Sequence, residues 1–129
     1  MQYLLMCCFN EEQWAKIPES QRNKIMREYG EWEQSIVKSG QFRAGAQLES
    51  TSASTTVRHQ NGKLVITDGP YAETKEQLGG YHLVECRDLD EALGIAARIP
   101  TLPFGGLIEV RPLVPAAARM APAGSTAGH

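Results

Sequence analysis

Gln2-Tyr3-Leu4-Leu5-Met6-Cys7-Cys8-Phe9 is the stretch on which the fold turns. It reads as a strand with two apolar sides: Tyr3, Leu5, Cys7 and Phe9 alternate with Leu4, Met6 and Cys8. A strand with one face in water would alternate apolar with polar residues, so this one calls for cover on both faces of its sheet. A secretory signal core would carry a basic flank and a small-residue cleavage site. Here the run passes straight into Asn10-Glu11-Glu12, and a cytoplasmic location is the expectation.

Working outward, Pro18-Glu19 opens a helix that runs to about Ser39, with Gly40 beyond its end. Ile25, Tyr29, Trp32 and Ile36 form its core-facing stripe, and Tyr29 is also a hydrogen-bond donor for any cleft on that side. Gln41 to Glu49 reads as a strand and Ser50–Ser54 as a polar loop. Thr55–His59 and Lys63–Thr67 flank Gln60-Asn61-Gly62, a hairpin signal. A strand from Tyr81 to Cys86 leads to a second helix capped by Asp88 and Glu91, with Leu89, Leu93, Ala96 and Ala97 as its buried stripe. Gly106–Leu113 is the last strand. The order is β-α-β, an inserted β-hairpin, then β-α-β, which predicts an α+β, ferredoxin-like domain over residues 1–114. Right-handed crossovers place both helices on one face of the antiparallel sheet. The other face then needs a second copy of the chain, so a homodimer through facing sheets is expected. Residues 115–129, rich in Ala, Pro and Gly, read as a flexible tail.

At 129 residues, with 42% hydrophobic and 22% charged residues, the composition is that of a single globular domain. A net charge of -2 without a basic stripe argues against nucleic acid as a partner, and no apolar run is long enough to span a membrane. Cys7, Cys8 and Cys86 have no metal-ligand spacing, and neighbours on a strand point to opposite faces. They read as small hydrophobes, with no metal and no cofactor implied.

Between the hairpin and the next strand lies Asp68-Gly69-Pro70-Tyr71-Ala72-Glu73-Thr74-Lys75-Glu76-Gln77-Leu78-Gly79-Gly80-Tyr81. A polar connection of this length is more often functional than structural. The Asp-Gly-Pro-aromatic run, the Glu-Thr-Lys-Glu run and Gly-Gly-Tyr together resemble the signature of the DGPF subgroup of YCII-related proteins. That resemblance implies the same dimeric α/β-barrel architecture, and it brings an association with extracytoplasmic sigma-factor systems. The broader family carries a His–Asp dyad whose positions fall here at Tyr29 and Ile99, so the dyad chemistry is not implied for this chain.

Candidate catalytic residues are Asp68, held at a rigid turn, and His82, which shares a strand face with Val84 and Cys86. Against them stand an Asx-turn for Asp68 and a packed strand histidine for His82. Gly69, Pro70, Tyr71, Glu73, Lys75, Glu76, Gly79, Gly80 and Tyr81 are the candidate ligand-binding residues, with Lys75 suited to an anionic group. A solvated charge run is the alternative for Glu73, Lys75 and Glu76. Three functional classes stay open. The first is a dimer binding a small molecule beside the 68–80 loop, with or without catalysis. The second is a regulatory module that docks a protein. The third is a cofactorless monooxygenase-like enzyme, which rests on architecture alone.

Overall fold

The structure, a computed structural model, describes residues 1–118. Strands β1 (Gln2–Phe9), β2 (Phe42–Gln47), β5 (Gln77–Glu85) and β6 (Leu107–Pro112) form one sheet in the order β2-β5-β1-β6. β1 and β2 both run antiparallel to β5, and β5 and β6 both run antiparallel to β1. Each β-α-β half therefore joins two parallel strands, and the halves interleave as in a ferredoxin-like α+β fold. Helix α2 (Glu19–Lys38) bridges β1 and β2, and α3 (Leu89–Ala96) bridges β5 and β6. Among the described residues no helix is long and apolar enough to cross a membrane.

Local chemistry explains the helix ends. Glu19 sits in the first turn of α2 and Lys38 in the last, both favourable to the helix dipole, and Gly40 takes φ +78° to leave the helix. The Asp88 carboxylate accepts the Glu91 N–H at 2.9 Å, and the Glu91 carboxylate reaches back to the Arg87 N–H at 2.9 Å. This is a capping box shifted outward by one residue. A helix not foreseen in the sequence, α1 (Glu11–Lys16), is started by the Asn10 side chain accepting the Gln13 N–H.

Both long helices cover one sheet face. Leu5, Val84, Trp32, Ile36, Ile95 and Ile99 lie in one buried cluster there, and Trp32 Nε1 donates to the Ile95 carbonyl at 2.9 Å, tying α2 to α3. The buried stripe of α3 is Ala92, Ile95 and Ala96. Leu89 and Leu93, expected inside, are 46% and 45% exposed, and Ala97 is exposed too. The helix is rolled so that small side chains meet the sheet, which lets it approach closely.

β5 begins at Gln77, four residues before the expected start. Gly79 and Gly80 have weak strand preference, but pairing with β1 on one side and β2 on the other overrides it. Cys7 pairs with Gly80 and Cys8 with Leu78, so Gly79 is the extra residue of a β-bulge. A Cβ on Gly79 would lie 2.1 Å from the Phe9 ring, and only glycine leaves room for that ring across the strand.

β3 (Thr55–Gln60) and β4 (Lys63–Asp68) pair only with each other, as a separate hairpin. Asn61 at φ 52° and Gly62 at φ 77° supply the left-handed pair that a tight hairpin turn requires. On the main sheet, the face away from the helices carries Leu4, Met6, Tyr81 and Leu83, which lie opposite one another in register, with the Glu109–Arg111 ion pair alongside on β6. Expected outcome: Ile36→Ala, at a fully buried core position, lowers unfolding free energy by about 2–5 kcal/mol. Leu93→Ala costs less than about 1 kcal/mol. Urea melts of both variants check the pair.

Candidate functional site

α2 crosses the sheet so that Tyr29, Trp32 and Glu33 face β5 at His82. Tyr29 and Glu33 are four residues apart, so a helix puts them on one side, one turn apart. His82 is only 3% exposed. Its ring stands edge-on to Trp32, with centroids 4.9 Å apart. Nε2 lies 2.5 Å from Tyr29 Oη, which in turn lies 3.1 Å from Cys7 Sγ. Among the described residues Nδ1 has no hydrogen-bond partner, and the nearest carboxylate oxygen, Glu33 Oε2, is 3.6 Å away. β2 makes room on the other side. A Cβ at Gly45 would stand 2.7 Å from Nδ1 and 2.9 Å from the Tyr81 carbonyl.

These groups wall a cavity of about 420 Å³ between α2, the ends of β1 and β5, and the edge strand β2. Its floor is backbone, at Gly30, Gly45, Gly79 and Gly80, and its sides are Phe9, Trp14, Met26 and Tyr29. Apolar walls with a few converging polar groups are the usual build of a small-molecule site.

Burial sets the charge states. It pushes the His82 imidazole below its ordinary 6.5, against the opposing pull of Glu33. Burial also drives the Tyr29 phenol far above its usual range, with Cys7 and Glu33 adding to the effect. The Cys7 thiol is raised by burial despite its bond to Tyr29. Near neutral pH all three groups are uncharged. The Glu33 carboxylate favours a proton on Nδ1, which leaves Nε2 to accept the Tyr29 O–H. A proton on Tyr29 Oη, an acceptor at Nε2 and a carboxylate behind the ring form a relay able to move a proton at the cavity wall.

The YCII-related domain family matches residues 1–117. The chain belongs to that family. An uncharacterised protein of Rhizobium meliloti (strain 1021) is 39% identical over 111 residues, covering 82% of this chain and 87% of the relative.

In this YCII-related chain, Tyr29 lines the cavity and Ile99 is buried in the core, so the two expected dyad positions carry a phenol and an aliphatic side chain. Gly79, Gly80 and His82 come together at the cavity. Asp68 ends β4 opposite Thr55, exposed and outside the cavity lining. Among the described residues its carboxylate makes no hydrogen bond, and Pro70, two residues on, has no N–H to offer an Asx-turn. Backbone bonds hold the turn instead: Gly69 N–H donates to the Ser54 carbonyl at 2.7 Å, and Thr56 Oγ1 donates to the Gly69 carbonyl at 2.8 Å. Gly69 takes φ +98°. Tyr71 is 79% exposed, and Glu73 and Lys75 are exposed. Pro70 and Glu76 are half-buried, and the Lys75 carbonyl accepts from Asn10 Nδ2. Tyr81 lies on the helix-free sheet face, opposite Met6. The sequence reading missed Glu33 and the neighbouring Gly45. The signal for Glu33 was its four-residue spacing from Tyr29 beside the apolar stripe.

The folded imidazole titrates below 6.5 and the unfolded one near it, so the unfolded chain binds the extra proton. His82 thus contributes stability that is fully present above about pH 6.5 and is lost as pH falls through the folded value, at no more than about 1.4 kcal/mol per pH unit. Glu11 and Glu85, whose carboxyls are held low by hydrogen bonds from Thr51 and the N-terminal amine respectively, lose their contributions in a lower window, below 4.5. Expected outcome: urea melts from pH 7.5 down to about 5.5 show falling stability in the wild type. The slope over that range flattens in His82→Gln.

Proposed function

We propose that this chain is a homodimeric small-molecule-binding protein of the DGPF subgroup in which Glu33, His82 and Tyr29 move a proton to or from a ligand held in the glycine-floored cavity. The observation that carries the reading is the 2.5 Å contact between Tyr29 Oη and His82 Nε2 at the cavity wall, with Glu33 behind Nδ1. When Tyr29 passes its proton to Nε2, the imidazolium is stabilised by Glu33 and the tyrosinate becomes a base strong enough for a weakly acidic O–H, N–H or C–H of the ligand. Running backwards, the same chain delivers a proton. The logic is that of a hydroxyl activated by an imidazole that a carboxylate orients. The subgroup placement rests on Asp68-Gly69-Pro70-Tyr71 and Gly79-Gly80-Tyr81.

The dimer reading is supported by the helix-free sheet face bearing Leu4, Met6, Tyr81 and Leu83. Met6→Asp on that face is expected to give a folded protein that sediments as a monomer.

The test of function is a thermal-shift screen of wild type, Tyr29→Phe and His82→Gln against a metabolite library, followed by incubation of the stabilising ligands in D2O. The reading expects ligands that bind all three proteins. It expects wild type alone to exchange an activated ligand proton rapidly, with the variants slower by roughly 10²–10⁴-fold. Equal exchange in all three removes the relay. A protein-docking module is the second reading. It draws on Val57, Leu64 and Ile66 of the hairpin, which are 61%, 60% and 62% exposed, and a screen without ligands would favour it.

A further inference from the structure

A second cavity, of about 530 Å³, adjoins the first and shares Phe9, Trp14, Gln47 and Gly79 with it, so the two form one bent trough. The Phe9 and Trp14 rings meet edge-on at the join, with centroids 5.9 Å apart. Every carboxylate or cationic side chain lining the trough is a glutamate: Glu33 in the inner part, Glu11 and Glu49 in the outer. No described Lys or Arg side chain lines either part. Glu11 is fixed as an anion, because the Thr51 N–H, together with the Ser50 and Thr51 hydroxyls, hydrogen-bonds its carboxylate and holds its carboxyl below the ordinary range. At the inner end His82, almost wholly buried, leaves Nδ1 without a hydrogen-bond partner among the described residues, beside Glu33 and Gly45, which both line the cavity.

We propose that the ligand of this trough is cationic: a ring-sized apolar body that enters the inner cavity and a protonated amine that remains in the outer one, between Glu49, Glu11 and the Trp14 ring. Ammonium ions favour aromatic faces and carboxylates together, whereas an anion would meet only like charge here. Uncharged His82 and Tyr29 walls suit a neutral inner body. The inference rests on the ligand-binding reading of the same cavity and adds its charge class. It also replaces the anion expected beside Lys75, since Lys75 lies outside both linings.

The test uses three probes of one shape and different charge: phenylpropylamine, phenylpropanol and phenylpropionate, titrated by calorimetry and by tryptophan fluorescence. The amine is expected to bind at least about tenfold more tightly than the carboxylate. That preference should shrink as ionic strength rises. Glu49→Gln, an exposed position where the fold is not at stake, should weaken the amine severalfold and leave the alcohol unchanged. Carboxylate binding equal to or tighter than the amine, an amine preference untouched by Glu49→Gln and salt, or no amine binding at all would each overturn the proposal. The relay is read separately. Amine selectivity without ligand proton exchange leaves the cation site standing and removes the relay, and carboxylate selectivity with exchange intact does the reverse.

Discussion

A buried imidazole must be either satisfied or useful, and His82 is the group around which this protein is arranged. Taking it out of water disfavours its charged form and leaves two ring nitrogens to place. Nε2 is placed by Tyr29, 2.5 Å away. Nδ1 is left with a carboxylate just beyond bonding distance, at 3.6 Å. The arrangement depends on backbone as much as on side chains. Gly45 gives up its Cβ where Nδ1 needs space, and Gly79 gives up its own where the Phe9 ring crosses the sheet. An alanine at either position would push on the site from behind.

The same packing that stabilises the fold sets the geometry around His82. Trp32 anchors α2 to α3 through the Ile95 carbonyl and presents its ring edge to His82, so helix docking and imidazole orientation are one event. Helix geometry then brings Tyr29 and Glu33 to opposite ends of the ring. The bulge at Gly79 lies in the lining of the trough, beside Phe9 at the end of β1 and Glu11 and Trp14 of α1. The inner cavity is thus walled by helix and strand, while the outer trough is lined in part by loop residues 48–50.

Much of the fold was legible in the residues. The strand at 2–9, the Ile25–Trp32–Ile36 stripe, the Asn-Gly turn and the Asp88 cap each express a local rule that the tertiary structure respects. What misled was composition without geometry. Leu89 and Leu93 read as one buried stripe with Ala96 and Ala97, yet the helix turns Ala92, Ile95 and Ala96 inward. Gly79 and Gly80 fall before a strand expected to start at Tyr81, yet pairing on both sides holds them in β5. The site was half visible. The two glycines stand out in the signature run and His82 on the strand just after it, whereas Glu33 and Gly45 acquire meaning only when α2 and β2 close around the imidazole. The Tyr29–Glu33 spacing is a local pattern, but the meeting of both with His82 and Gly45 is a long-range juxtaposition that leaves none.

The most direct measurement is nitrogen and proton NMR of the His82 ring in wild type and Tyr29→Phe at neutral pH. A neutral ring protonated on Nδ1, with a strongly downfield proton shared between Tyr29 and Nε2 that vanishes in Tyr29→Phe, is the predicted result. A charged imidazolium, or a ring whose protons exchange freely with water and whose signals ignore the loss of the phenol, would contradict the account.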